Sequence, residues 1–354
     1  MNLLLYIIIF LSVLIVSNAM NKLFPSLPTP LVQILLGIGL RFLLPIGRFH
    51  LETEIFLALI IGPLLFREAE ESDVTSILKH WKIVVYLIFP VIFLSTLSLG
   101  FLAHVLWAVL PLAACIAVGA ALGPTDLVAF ASLSERFTFP KRVENILKGE
   151  GLLNDASGLV AFQFALMAWM TGTFSIKQAS FSLLISIIGG FIVGSFTAFL
   201  NRQLQKLLHT VRASDIAGEL LLELSLPLLT FFLAEEIHVS GIIAVVVAGI
   251  FKASRFKRIT LLEAQVNIVT DTIWQTVTFM LNGSVFVILG IELETIAEPI
   301  LKNPVYDNFW LLLTILLLTI VLFAIRFVMI SGFYFLRSLR LKKECQIIGG
   351  IWHC

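Results

Sequence analysis

Eleven apolar runs separated by short polar punctuation fill nearly all of the 354-residue chain, near 2–19, 29–45, 51–66, 80–103, 106–133, 145–170, 179–206, 215–236, 239–252, 263–293 and 308–337. A helix crosses the hydrocarbon of a bilayer with about 20 apolar residues. Inside that layer every backbone polar group must be bonded within the protein, so a chain patterned this way folds as a bundle of membrane helices. The residues are 59% hydrophobic and only 13% charged, with mean hydropathy +1.01, against roughly a quarter charged in soluble domains. The expected class is therefore an all-α polytopic membrane protein, about 11 transmembrane helices with a C-terminal stub. Residues 1–20 lack a basic leader region and a small-residue cleavage site, and read as a retained first helix. Cys115, Cys345 and Cys354 are too few and too scattered for a disulfide framework or a metal cluster. No cofactor is expected, and a net charge of +1 offers nothing to a nucleic acid.

Basic residues orient the bundle, because Lys and Arg collect in cytoplasmic loops. With the N-terminus outside, nineteen of the 24 fall in inner loops, among them Lys141, Arg142, Arg202, Lys206, Lys252, Arg340 and Lys342. Only Arg41, Arg48, Lys177 and Lys302 fall on the outer side, and Arg326 alone lies deep within a span rather than near its end. A miscounted helix would scramble this alternation. The expected topology is a multi-pass protein of the cell membrane, N-terminus outside and C-terminus cytoplasmic.

The polar groups that this map submerges carry the chemistry. Asp155 follows Asn154 within an apolar span, and a carboxylate at the bilayer centre costs roughly 3 kcal/mol or more unless it faces water, an ion path or a countercharge. Burial raises its pKa and an adjacent cation lowers it, so Asp155 can exchange H+ for a monovalent cation near neutral pH. Gly151, Asp155, Gly158 and Phe162 share one helical face, leaving room for a neighbouring backbone or a hydrated ion. In the preceding span, Pro124 removes a backbone donor and Gly123 tolerates unusual dihedrals, so the helix is expected to unwind there. Unwound backbone is tolerated at membrane depth only in a cavity or inside protein, and secondary transporters use such breaks to coordinate ions. Asp126 then lies near the positive end of the second half-helix. Arg326 needs an acidic partner, for which Glu150 is the candidate. Glu68, Glu70, Glu71 and Asp73 read as a solvated loop, with Glu68 also in reach of an ion funnel.

Gly123-Pro124-Thr125-Asp126-Leu127-Val128-Ala129-Phe130, then Pro140-Lys141-Arg142, then Lys148-Gly149-Glu150-Gly151-Leu152-Leu153-Asn154-Asp155 resemble the core signature of the sodium/proton exchangers of the monovalent cation:proton antiporter superfamily. Further matches follow in order at Gly62-Pro63-Leu64-Leu65-Phe66, 234–245, 281–290 and 324–328, so the resemblance covers essentially the whole chain. It implies an inverted-repeat antiporter fold with a discontinuous core helix, in which a core bundle (about 80–170 and 308–354) slides against a dimerisation scaffold (about 1–66 and 179–293). It implies secondary active exchange of Na+, with K+ or Li+ as alternatives, for H+ by alternating access, in a homodimer. By resemblance, Asp155 binds cation and proton in turn, Asn154 shapes its site, Thr125 contributes an oxygen at the crossing, Asp126 balances a helix end and Glu150 pairs with Arg326. Asn rather than a second Asp at 154 resembles the electroneutral members.

Two positions depart from the family pattern. Gly151 stands where a Ser is common, and Arg67 stands where an acidic residue usually follows the Phe, leaving Glu68 out of register. Family members also continue beyond a glycine pair, whereas this chain ends at Gly349-Gly350-Ile351-Trp352-His353-Cys354. The expectation is a C-terminally truncated exchanger lacking its last core helices and compromised as a transporter. The chain is not expected to be an enzyme. An intramembrane aspartyl protease would also use two membrane Asp residues, Asp126 and Asp155, but wants a Gly-x-Gly-Asp arrangement that neither has. A cation channel would want repeated selectivity loops.

Overall fold

In a computed structural model the described residues are 3–24, 27–43, 52–72, 79, 81–107, 109–125, 140–171, 176–211, 215–253, 261–302 and 308–348. Among them the secondary structure is helical throughout. In chain order the helices are α1 (Leu3–Leu23), α2 (Thr29–Leu43), α3 (53–71), α4 (81–106), α5 (Leu112–Leu122), α6 (Lys141–Thr171), α7 (Ile176–Thr210), α8 (Ile216–Glu236), α9 (Gly241–Ala253), α10 (Leu261–Lys302) and α11 (Asn308–Ile348). Each answers to one apolar run, and the two interrupted rods carry π-helical turns at Leu57–Ile61 and Leu87–Val91. Among the described residues, four stretches are long and apolar enough by themselves to cross a membrane: Leu184–Thr210, Ile216–Glu236, Ile268–Leu293 and Phe309–Phe333. Large apolar side chains such as Ile15, Phe323 and Phe327 stand exposed. Lipid, rather than water, is the solvent that such surfaces fit.

The chain groups into two compact units. The first comprises Met1–Lys79, Asp126–Leu152 and Ile176–Val305. Within it Val13 and Leu14 of α1 pack on Val287 and Ile291 of α10, and α2 lies so near α10 that a Cβ on Gly37 would stand 2.4 Å from the Val287 carbonyl. At 13 residues α9 is shorter than a membrane crossing, and it is buried on most of its surface, from Gly241 to Lys252. Its start is tied down by its own neighbours. Glu235 Oε1 accepts the Gly241 N–H at 3.1 Å, and Ser240 Oγ accepts that of Ile243 at 3.3 Å. The turn before it closes α8 with the His238 N–H on the Glu235 carbonyl and the Val239 N–H on the Ala234 carbonyl. His238 takes the left-handed position of this cap, at φ 58.

The acidic residues at the end of α3 are helical rather than the solvated loop expected from sequence, with Glu71 alone of Glu68, Glu70 and Glu71 exposed. Glu70 and Glu71 belong to α3, where Arg67 contacts Glu70 at 3.0 Å, Glu71 at 2.7 Å and Asp271 of α10 at 2.8 Å. Lys252 of α9 bridges Glu70, at 2.9 Å, to the carboxylate of Glu223 on α8. Arg67 and Lys252 are each 8% exposed. Charges this far from water persist only when paired, and four helices supply the partners. Asp73 lies outside the described residues.

The second unit comprises His80–Thr125, Leu153–Ser175 and Tyr306–Cys354. Its apolar centre joins Leu99 and Ala103 of α4, Cys115 of α5 and Leu318 of α11. Two glycines bring α4 and α5 into backbone contact: a Cβ on Gly100 would meet Ile116 Cα at 2.8 Å, and one on Gly119 would meet the Thr96 carbonyl at 2.3 Å. Tyr86 donates to the Met329 carbonyl at 3.1 Å and Trp107 to Thr314 Oγ1 at 3.2 Å, fixing α4 on α11.

Candidate functional site

The second unit holds the helix break. Helix α5 stops at Leu122, at the expected break, and Gly123 caps it. Pro124 follows at the bend and Thr125 is irregular, while 126–139, and with them Asp126, lie outside the described residues. Termination here follows from the chain itself: Gly123 still holds helical dihedrals, φ −66 and ψ −45, but Pro124 after it has no N–H to donate the next hydrogen bond.

Helix α6 passes directly over this end. A Cβ on Gly158 would lie 2.1 Å from Pro124 Cγ, so only glycine lets the ring rest against the helix. One turn earlier Asn154, fully buried, donates from Nδ2 to Thr125 Oγ1 at 3.0 Å. Residues four apart share a helical face, so this hydrogen bond and the glycine–proline contact fasten α6 to the break at two adjacent points. Asn154 Oδ1 is buried and has no hydrogen-bond partner among the described residues. The carbonyl of Asn154 accepts from Ser157 Oγ at 2.9 Å.

Asp155 follows on α6, its backbone helical and its side chain outside the described residues. Arg326 of α11 donates from Nη2 to the Gly123 carbonyl. A cation on the last carbonyl of a helix is the favourable end of its dipole, so α5 is closed by a guanidinium. Sequence reasoning paired Arg326 with Glu150; the carbonyl of Gly123 is a further partner, one that leaves no trace in residue type. Glu150 is 3% exposed, on the stretch of α6 that groups with the first unit, and neither it nor Arg326 lacks partners. Glu68 is half-buried on α3 of the first unit. Thus Gly123, Pro124, Thr125, Asn154 and Arg326 come together around one break. Thr96 of α4, which sequence reasoning passed over, borders it as well: its Oγ1 lies 3.4 Å from where a Gly123 Cβ would stand.

The family described as "Sodium/hydrogen exchanger, transmembrane" matches residues 7–352. A "Sodium, potassium, lithium and rubidium/H(+) antiporter" of Bacillus pumilus is 34% identical over 345 residues, 97% of this chain and 51% of that protein. Its namesake from Bacillus subtilis is 35% identical over 94% of this chain and 50% of its own length. The chain thus spans about half the length of these curated relatives. Among solved structures, the sodium proton antiporter MjNhaP1 of Methanocaldococcus jannaschii shares the fold, with TM-score 0.64 at 19% identity over 82% of this chain and 71% of that one.

Proposed function

Because the chain belongs to the transmembrane sodium/hydrogen exchanger family, we propose that it serves the exchange of a monovalent cation for H+ across the cell membrane, one for one. Na+ is the first candidate, with K+ and Li+ beside it, a range in keeping with the names of the Bacillus relatives. Asp155 is the shared site: protonated it excludes the cation, and ionised it binds one, so a carboxylate open to one side of the membrane at a time couples the two fluxes. Asn154 and Thr125 shape that site, Arg326 holds the end of α5 and Asp126 balances the opposite helix end. Glu150 forms a structural ion pair with Arg326, and Glu68 is a candidate for the ion funnel. The protein works as a homodimer, N-terminus outside, with a core bundle of about 80–170 and 308–354 moving against a dimerisation scaffold of about 1–66 and 179–293.

The observation that carries this reading is the hydrogen bond from Asn154 to Thr125, which ties the residue next to Asp155 to a broken helix end. A bonded, buried contact of this kind holds a carboxylate-bearing helix beside freed backbone, the arrangement that discontinuous helices use for ions. The test is flux in proteoliposomes loaded with a pH dye. Exchange predicts proton movement that saturates with Na+ and persists when the membrane potential is clamped; current that grows linearly with voltage would mark a channel and refute exchange.

A further inference from the structure

Hydroxyls on these helices ordinarily bond back to their own helix. Ser95 donates to the Val91 carbonyl at 2.7 Å, and Ser195, Thr272, Thr314 and Thr319 each donate to the carbonyl four residues earlier. Thr96 does not. It is 5% exposed, and its Oγ1 is buried with no hydrogen-bond partner among the described residues. A hydroxyl stripped of water and left unbonded is destabilising, and the carbonyl four residues back is the usual remedy.

Three oxygens surround the space that a Gly123 side chain would take. The Gly119 carbonyl lies 3.3 Å from the position of its Cβ, Thr96 Oγ1 3.4 Å and the Ala120 carbonyl 3.6 Å. The two carbonyls belong to the last turn of α5, which carries the negative end of the helix dipole. A Cβ at Gly123 would be closely hemmed by these oxygens, of which the two carbonyls are those three and four residues back along the helix and Thr96 Oγ1 comes from the neighbouring helix; the Gly123 carbonyl itself is taken by Arg326. Asn154 Oδ1, the other buried oxygen without a described partner in this unit, hangs from the side chain bonded to Thr125, two residues on. Neutral hydroxyl, amide and carbonyl oxygens are the donors that hard cations take when they shed water.

We propose that Thr96 is a cation-binding residue of the exchange path, its hydroxyl supplying an oxygen at the C-terminal end of α5 to the monovalent cation that Asp155 exchanges for H+. The inference rests on the exchange reading above. An oxygen in this place strengthens cation binding against the competing proton and contributes to the choice among alkali ions, since its distance from the α5 carbonyls is set by the Gly100 and Gly119 packing.

The experiment measures the rise in thermal unfolding temperature of the full chain in detergent as NaCl replaces choline chloride at constant ionic strength. Thr96→Val, Thr96→Ala, Thr96→Ser and Asp155→Asn are run beside the parent. The hydroxyl-free variants are expected to raise the half-saturating Na+ concentration about tenfold, the size of effect of one lost hydrogen-bonding oxygen. Thr96→Ser should restore the parent value, and Asp155→Asn should abolish the Na+ response. If Val and Ala respond to Na+ as the parent does, while Asp155→Asn does not respond, Thr96 is no ligand and the exchange reading survives. If the parent itself shows no Na+-dependent shift, the exchange reading falls and the Thr96 assignment with it.

Discussion

At the scale of single residues, the site is held by groups too small or too neutral to attract notice by themselves. Asp155 stands out in the sequence because a carboxylate in an apolar span needs a reason. Thr125 and Gly158 need the structure: one accepts from Asn154, 29 positions away, and the other makes space for Pro124. The break at Gly123-Pro124 was legible from covalent chemistry alone. That Arg326 closes it through a main-chain carbonyl was not, because backbone partners are invisible in residue type. Gly158→Ala places a methyl 2.1 Å from Pro124 Cγ, and overpacking of this kind costs about 1–3 kcal/mol. The variant should unfold at lower temperature and lose most cation-dependent proton flux; full flux would show that α6 does not rest on the break. Asn154→Ala removes the bond to Thr125, with an expected loss of about 1 kcal/mol in stability. Its flux should fall even where the protein stays folded, as judged by size-exclusion elution.

At the scale of helices, the apolar runs located every rod, and their lengths were the weaker part. Helices α10 and α11 run on beyond the ends expected near 293 and 337, to Lys302 and Ile348. Composition also made Glu70 and Glu71 read as a solvent-facing loop, which holds for the exposed side chain of Glu71 but not for Glu70. Their partners, Arg67, Lys252 and, through Lys252, Glu223, come from three helices, and Asp271 of a fourth completes the network. Pattern along one helix cannot show charges facing it from others. Lys252→Met would leave Glu70 and Glu223 without their shared cation, and breaking a buried pair costs about 3–5 kcal/mol. A fall in unfolding temperature at neutral pH is expected; a variant as stable as the parent would reduce the network to a surface ornament. The turn between α8 and α9 makes the opposite prediction. His238 holds a left-handed φ of 58, a conformation that costs an L residue about 1–2 kcal/mol and glycine almost nothing. His238→Gly should therefore raise the unfolding temperature, and a lowered one would mean that the imidazole does more than fill the cap.

At the scale of the molecule, family membership and fold are established by residues 7–352 and by the likeness to MjNhaP1, and the sequence signature around Asn154-Asp155 had already pointed there. The proposed orientation rests on the uneven distribution of Lys and Arg, a rule about loops that acts through insertion. With Cys115, Cys345 and Cys354 replaced by Ser, a Lys177→Cys variant should react with a membrane-impermeant maleimide on intact cells. Lys206→Cys should react only after permeabilisation, and the reverse pattern would invert the bundle. The central claim is that one submerged carboxylate is used alternately by H+ and an alkali cation. Its most direct test is Na+-induced proton release from purified parent and Asp155→Asn proteins in weakly buffered detergent solution. The account predicts release of protons by the parent, saturating with Na+, and none by the variant; equal release from both would contradict it.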